Sequence, residues 1–425
     1  MTTAEIKTPA PLLHVSLVAP GALRDRSGAP LGRVVDLIVR LDQPGYPAVT
    51  GILAAIERRQ SFIPADQIGD IQSGAITLSR ERLDLRPFQR REGEVLLRKD
   101  VLDRQLINVE GARLVRTNDI ELGRVGDTWR VLGVDTSLRG ALRRLLPRKL
   151  AARVGPGEVL DWAYVEPFLG HVPTVRLKVP HAKLARLHPA QIADLIEAAS
   201  HREGDEIIQA VAHDRELEAD VFEELDPQHQ REFLDERSDA EIAKVLERMA
   251  GDDAADVLVE LDEDRREGAL SLLPEVQRRK LRTLLGFDPA TAGGLMNTEA
   301  IVLLEGATVG QALEMVRTGA AASEALGSVC VIDAEQRLLG LVTLIELVQS
   351  PAETDLGSLA ISGPIRVEAD AEVEEVARLM ADFNVTAVPV IDEEQRVMGI
   401  VTVDDVLEVA LPKRWRRRFG LLGAE

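Results

Sequence analysis

One cysteine, two tyrosines and an aromatic fraction of 3% stand out as shortages in a chain of 425 residues. A single Cys330 excludes an intramolecular disulfide and any cage of cysteine ligands for zinc. It sits in the apolar run Val329-Cys330-Val331-Ile332, the setting of a small core residue. So few aromatics argue against a nucleic-acid reader built on stacking platforms. No stretch approaches 18 uncharged apolar residues, so the sequence predicts no membrane span. The amino terminus, MTTAEIKTPAPLLH, lacks the basic and apolar regions of a signal peptide, and the expectation is a cytoplasmic protein. Catalytic signatures are also missing. The seven histidines are scattered without HExxH spacing, and neither a Walker loop nor a Gly-x-Ser-x-Gly elbow occurs. The expectation is therefore a protein that is not an enzyme.

What is present is charge, unevenly placed. The net charge of −20 divides into +4 over residues 1–170, −28 over residues 171–410 and +4 over the last fifteen. The acidic middle repels itself, and bound divalent cations would relieve it; the plain alternative is solubility. The apolar fraction of 45% is ordinary and supports cores in about three domains.

The grammar along the chain changes twice. Residues 12–170 read as short strands, such as Val34–Val39, Ala75–Leu78 and Gln105–Val109, parted by turn pairs Ser27-Gly28, Pro44-Gly45 and Ser73-Gly74. Gly32-Arg33-Val34-Val35-Asp36-Leu37 is echoed by Gly111-Ala112-Arg113-Leu114-Val115-Arg116-Thr117-Asn118-Asp119-Ile120. This resembles a tandem of PRC-barrel domains, over 12–90 and 91–175, which implies small β-barrels used for interaction or assembly. Within the second, Leu138–Leu146 reads as a short basic amphipathic helix, taken as a barrel cover with solvated arginines; the alternative is contact with a membrane surface or an acidic partner.

From about Pro180 the apolar spacing becomes helical, and a unit of about twelve residues recurs. Leu225-Asp226-Pro227, Ser238-Asp239, Gly251-Asp252-Asp253, Leu261-Asp262-Glu263 and Leu273-Pro274-Glu275 each open a helix with a capping or starting residue. Short helices at a fixed period are expected to stack as a superhelix over 180–287. Beyond Thr298 a strand–helix pattern occurs twice, and Val331–Thr343 matches Val390–Thr402 almost position for position. This repeat is the signature of a tandem CBS pair, over 298–410 (298–352 and 358–410). The fold class expected for the whole is multidomain α+β: small β-barrels, an α-helical superhelix, then the α/β CBS pair.

The superhelix, the segment Ala292-Gly293-Gly294-Leu295-Met296 and the CBS pair in that order resemble the cytosolic part of the MgtE magnesium-channel family. That resemblance implies magnesium sites where carboxylates on facing domain surfaces would repel without a bridging cation. Carried over by motif, it implies Asp252 and Asp256 on one face of an N-domain helix, with Asp405 and Glu408 on one face of a helix in the second CBS copy. Glu372, Glu374 and Glu346 also fall on acidic positions of the family, whereas Asn384 stands where the family has aspartate. After the CBS pair comes a basic tail, 411–425, with Lys413-Arg414-Trp415-Arg416-Arg417-Arg418-Phe419, where the resemblance implies an acidic connecting helix leading to a pore.

The expected function is thus a Mg²⁺-sensing regulatory protein, with the cation bridging N domain and CBS pair. An adenine-nucleotide sensor and a scaffold that binds neither are the alternatives. The nucleotide reading rests on Gly399-Ile400-Val401-Thr402-Val403-Asp404-Asp405, which puts the Thr402 hydroxyl and the Asp405 carboxylate beside a helix start, with Thr343 the counterpart in the first copy. The expected partners are a second copy, through the CBS domains, and a separately encoded membrane protein; nucleic acid is not expected. Peripheral attachment at the inner membrane face is one placement, through the tail's cations and two aromatics.

Overall fold

The computed structural model describes residues 12–411 apart from 42–44, 58, 80–85, 152, 156, 169–171, 173–182, 319–326 and 361–364. The tail from 412 onward lies outside the described residues. The chain divides into two compact units, 1–213 and 214–425, each taken by itself below.

The first unit is β-rich. Its largest sheet runs in the order Ile68–Gln72, Ala75–Leu78, Gly21–Arg24, Pro30–Arg40, Val49–Ile56, Arg59–Pro64, Arg86–Pro87, and Glu94–Leu96 also pairs with Pro30–Arg40. A four-stranded sheet orders Leu13–His14, Asp119–Val125, Thr128–Asp135 and Val159–Asp161, and a three-stranded one orders Arg113–Arg116, Gln105–Asn108 and Val165–Pro167. Along Pro30–Arg40 and Asp119–Val125, Val34, Leu37, Val39, Ile120 and Leu122 enter one common core, a register shift between Val34 and Asp36 letting Val34 and Leu37 share it.

The two halves exchange their leading strands. Leu13 and His14 pair with Leu122 and Glu121 of the later half, whereas Val95 and Leu96 pair with Val39 and Ile38 of the earlier half. Each exchanged strand runs into a short helical turn, Val15–Val18 or Leu97–Val101. The aspartates of the sequence echo explain this geometry. Asp36 accepts the backbone N–H groups of Arg98 (2.8 Å) and Lys99 (3.0 Å). Asp119 accepts the N–H and hydroxyl of Ser16, at 3.1 and 2.5 Å. Each aspartate thus satisfies donors at the start of the turn delivered by the other half. Burial pushes the Asp36 carboxyl up to about 6, against the lowering effect of those N–H donors.

The basic amphipathic helix forms over Leu138–Leu145, but with its faces reversed from the expected barrel cover. Arg143 is 2% exposed, whereas Leu138, Leu142 and Leu145 are 86%, 47% and 82% exposed. Arg143 reaches inward, its Nη1 lying 3.1 Å from both Asp119 Oδ2 and Asp135 Oδ2, and its Nη2 donating to the Gly155 carbonyl at 3.2 Å. Gly140 shares the inner face because a Cβ there would stand 2.8 Å from the Asp135 carboxyl carbon. Two buried carboxylates need a buried cation, and that need outweighs the burial of three leucines.

The second unit opens with six short helices: Arg215–Glu223, Pro227–Asp235, Asp239–Leu246, Gly251–Val259, Glu263–Leu272 and Glu275–Leu284. The last five of them start at the repeat units of the sequence. Asp226 accepts the His229 N–H at 2.9 Å, and Ser238 forms a reciprocal cap with Glu241. Phe222, Phe233, Leu234, Ile242, Leu246, Val257, Leu258, Leu270, Leu281 and Leu284 are buried along the stack.

Each CBS copy supplies a three-stranded sheet, parallel then antiparallel: Ile301–Leu304, Ser328–Ile332, Leu338–Thr343 in the first and Val367–Glu368, Ala387–Ile391, Val397–Thr402 in the second. The repeat is exact down to its hairpins. Asp333 and Asp392 accept the N–H of Arg337 and Arg396 at 2.8 Å, with Gln336 and Gln395 both left-handed. Cys330 packs between the copies against Leu338 and Ile391, and burial pushes its thiol up to about 12. It is a core residue, as its apolar run predicts.

The Ala292-Gly293-Gly294 segment docks on the second copy. Gly293 donates to the Ala369 carbonyl at 2.7 Å, and Asn297 exchanges backbone hydrogen bonds with Ile400. A Cβ on Gly294 would lie 2.4 Å from the Asp288 carbonyl oxygen, so only glycine fits this close approach.

Candidate functional site

The acidic residues that converge lie on two helices of the second unit, Gly251–Val259 and Val403–Ala410. Asp252 begins the first helix and is nearly buried. Asp256 follows one turn later, on the same face. Asp405 begins the second helix, and Glu408 follows three residues on.

Asp256 is where the electrostatics gather. It keeps solvent access, yet the protein packed around it desolvates the carboxyl, and Glu408 and then Glu260 repel its charge. Together these push its pKa up to about 6. Through Glu408 the helix of the second CBS copy comes within electrostatic reach of the N-domain helix. The pKa of Asp405 is also raised, first by burial and then by Asp404 and Glu408, against the lowering effect of its bonds from Thr402. Glu408 thus bears on both Asp256 and Asp405, whereas Glu260 bears on Asp256 and is itself paired with Arg231 at 3.0 Å. Glu260, at the end of the Gly251–Val259 helix, was not singled out from the sequence. Its i, i+4 spacing from Asp256 was the available signal. Hard carboxylate oxygens of this kind suit Mg²⁺, which takes one or two carboxylates and completes its octahedron with water.

The other acidic candidates sit elsewhere. Glu372 stands at the N-cap position of the helix Val373–Phe383 without a side-chain cap bond, with Glu374 in its first turn. Glu346 accepts from Thr343 N and Oγ1, at 2.7 and 2.8 Å, in the first copy. Among the described residues, Glu408 and Glu260 are the carboxylates that act on Asp256. Asn384 ends the helix Val373–Phe383 in the left-handed conformation, φ 53°, which asparagine adopts more readily than most residues.

Thr402 and Asp405, the nucleotide candidates, form a reciprocal helix cap. Asp405 Oδ2 accepts from Thr402 N at 2.9 Å and from Thr402 Oγ1 at 2.7 Å, and Thr402 is buried. Thr343 and Glu346 repeat this arrangement in the first copy. The capping role alone accounts for these four residues in this state of the chain.

Comparison with known proteins places this architecture. Residues 187–290 match the model for the MgtE intracellular N domain, and residues 292–353 and 356–411 match CBS domains. The magnesium transporter MgtE of Thermus thermophilus is 36% identical over 194 residues, which are 45% of this chain and 43% of that protein. Residues 187–411 are homologous to the cytosolic part of MgtE. MgtE of Enterococcus faecalis is 31% identical over 146 residues, 34% of this chain and 32% of its own. The crystal structure of the cytosolic domain of the Mg²⁺ channel MgtE in complex with ATP superposes with a TM-score of 0.50 at 32% identity. It covers 53% of this chain and 92% of that one. The chain thus spans less than half the length of the curated MgtE relatives it matches. Among the described residues, no helix is long and apolar enough to cross a membrane.

Proposed function

We propose that this chain is a Mg²⁺-sensing regulatory protein of the cytoplasm, without catalytic activity, in which the cation bridges the MgtE-type N domain to the second CBS copy. The observation that supports this most directly is the charge of Glu408 acting on Asp256, whose pKa burial, Glu408 and Glu260 push up to about 6. A divalent cation there replaces carboxylate repulsion with attraction and holds the two helices together. Its loss restores the repulsion and favours their separation. Asp252 and Asp405 stand on the same two helices, and in this reading they ligate the ion directly or through water. Relatives of this module are magnesium transporters, so the regulated partner in this reading is a membrane transport protein.

The CBS pair in this reading also mediates a homodimer. Ile345 and Val348, on the helix Leu344–Gln349, are 69% and 68% exposed, and Phe383 and Leu407 are exposed on the helices Val373–Phe383 and Val403–Ala410 of the second copy. A solved relative of this module holds ATP, which supports a second reading, nucleotide binding through Thr402 and Asp405. It requires the Thr402–Asp405 cap to open.

The test is a thermal melt of the full chain across millimolar MgCl₂, with NaCl matched for ionic strength. A ligand at about 100 times its dissociation constant stabilises the folded state by ~2.7 kcal/mol. A Mg²⁺-specific rise that Asp252→Asn and Asp405→Asn abolish supports the bridge. A melt that follows ionic strength alone, or a response those substitutions leave intact, rules it out.

A further inference from the structure

The first unit holds a cleft of about 570 Å³ that the magnesium reading leaves unused. Its size falls within the roughly 300–1,000 Å³ of small-molecule sites. Val35, Leu53, Phe88 and Leu96 supply apolar walls, packed as a cluster separate from the common core of that unit. Asp36 lies buried beside them, and Arg98 and Lys99 bring cationic side chains to the same lining.

The duplication within this unit shows what the cleft is. Asp36 and Asp119 hold equivalent places: each accepts the N–H of the next residue, Leu37 at 2.8 Å and Ile120 at 2.9 Å, and each satisfies the turn delivered by the other half. On the neighbouring strand Asp119 faces Asp135, whereas Asp36 faces Leu53. In the later half, Arg143 of the helix Leu138–Leu145 fills the place beside that pair. Among the described residues of the earlier half no helix does the same, and the cleft opens there. A guanidinium suits two buried carboxylates; one carboxylate facing a leucine asks for a different occupant.

Hydrogen-bond accounting says which. The acceptors of the cleft are taken: Asp36 Oδ1 accepts the N–H groups of Leu37 and Arg98, and Oδ2 that of Lys99. The donors are not. Arg98 gives Nη1 to the Val35 carbonyl at 3.2 Å and keeps its other N–H groups, and among the described residues the Lys99 ammonium has no ion pair. Asp100 offsets Arg90, a further lining residue, at 3.0 Å, and Asp36 lies in the field of Arg98, so Lys99 is the surplus positive charge. We propose that the cleft binds a small organic monocarboxylate, its apolar body against Val35, Leu53, Phe88 and Leu96 and its carboxylate on Lys99 and Arg98. A metal ion is a poor occupant, because the oxygens of Asp36 are already used and the other charged lining groups are cations. A single surplus charge and apolar walls also favour a monoanion over a more heavily charged phosphate.

The experiment is calorimetric titration of the full chain with octanoate, acetate and octylammonium, which separate the charged head from the apolar body. Octanoate is expected to bind saturably, and acetate and octylammonium at least about 10-fold more weakly. Lys99→Gln is expected to weaken octanoate roughly 10-fold, and Gln60→Glu, which adds a negative charge to the lining, to weaken it as well. Both side chains are exposed, so the melting temperatures of the two variants are expected to match the wild type. Absence of saturable octanoate binding overturns the proposal. Octanoate binding that both variants leave unchanged also overturns it, since the ligand then sits elsewhere on the chain. Acetate binding as tightly as octanoate refutes the role of the apolar walls, and octylammonium doing so assigns the cleft to a cation on Asp36 instead.

Discussion

Replacing Asp256 by asparagine separates the proposed magnesium bridge from ordinary surface charge, because the two demand opposite effects. In the absence of metal, Asp256 is destabilising at neutral pH: burial, Glu408 and Glu260 raise its pKa from 3.8 to about 6. A shift of two units corresponds to about 3 kcal/mol between protonation states, and solvent access to this carboxyl reduces that to about 1 kcal/mol. Asp256→Asn is therefore expected to raise the metal-free melt of the second unit by about 2–4 °C at pH 7.5. In saturating Mg²⁺ the wild type gains ~2.7 kcal/mol, or roughly 5–11 °C, and the variant gains little. The two melting curves as a function of MgCl₂ should cross. The pH dependence has a fixed sign. The folded state binds this proton more tightly than the unfolded chain, so the penalty is full above about 6 and shrinks as pH falls. It is gone near 3.8, where the unfolded carboxyl is protonated too. Protons and metal compete for the same oxygens, so the Mg²⁺ response of the wild type fades as pH drops through about 6. Differential scanning fluorimetry at several pH values reads all of this. A variant that melts below the wild type without metal, or that keeps the full Mg²⁺ response, refutes the reasoning.

Arg143→Ala leaves Asp119 and Asp135 buried without their cation and is expected to destabilise the first unit by about 3–5 kcal/mol in urea unfolding, whereas Leu142→Ala changes stability by less than about 0.5 kcal/mol. Equal effects of the two would mean that the helix faces are assigned wrongly. Gly294→Ala puts a Cβ against the Asp288 carbonyl and Pro289 Cα, and a loss of about 1–3 kcal/mol in the melt of the second unit is expected. The double change Ile345→Asp and Val348→Asp is expected to yield monomers by light scattering where the wild type is dimeric. A dimer that survives both charges does not use this face.

Much of the second unit was legible because its code is local. Capping residues at Asp226 and Ser238 start helices wherever they precede an apolar run, and the matched hairpins after Ile332 and Ile391 announce a duplicated sheet. The meeting of Asp256 with Glu408 was legible only through family resemblance, since about 150 residues separate them and nothing local in the chain records that encounter. Glu260 joins that group by helical spacing, a signal present in the sequence but shared by many exposed acidic pairs. The strand exchange in the first unit was not legible. Asp36 and Asp119 could be matched as echoes of one pattern, yet the pattern is silent on which half supplies the turn that each one caps.

Leu138–Leu145 shows why the remaining part was read backwards. Helical periodicity reports which residues share a face; it does not report which face is turned inward, and the usual assumption is that leucines decide. Here the decision lies with Asp119 and Asp135, carboxylates delivered by separate strands to a spot with no solvent. Leaving them unpaired would cost several kcal/mol, more than leaving three leucines partly or wholly in water. A single arginine on the helix therefore sets its rotation, and the leucines take the opposite side. The same accounting carries a general expectation for this fold. Substituting Asp119 and Asp135 together with Arg143 by apolar residues of similar volume removes the constraint, and the helix is then free to turn its leucines toward the sheet that carries Asp119 and Asp135. Reduced solvent protection of a cysteine label at Leu142 in the wild type, and its increase in that triple variant, would show the rotation directly. Unchanged labelling would mean that the close packing of Gly140 on the side chain at position 135, whatever its charge, sets the rotation.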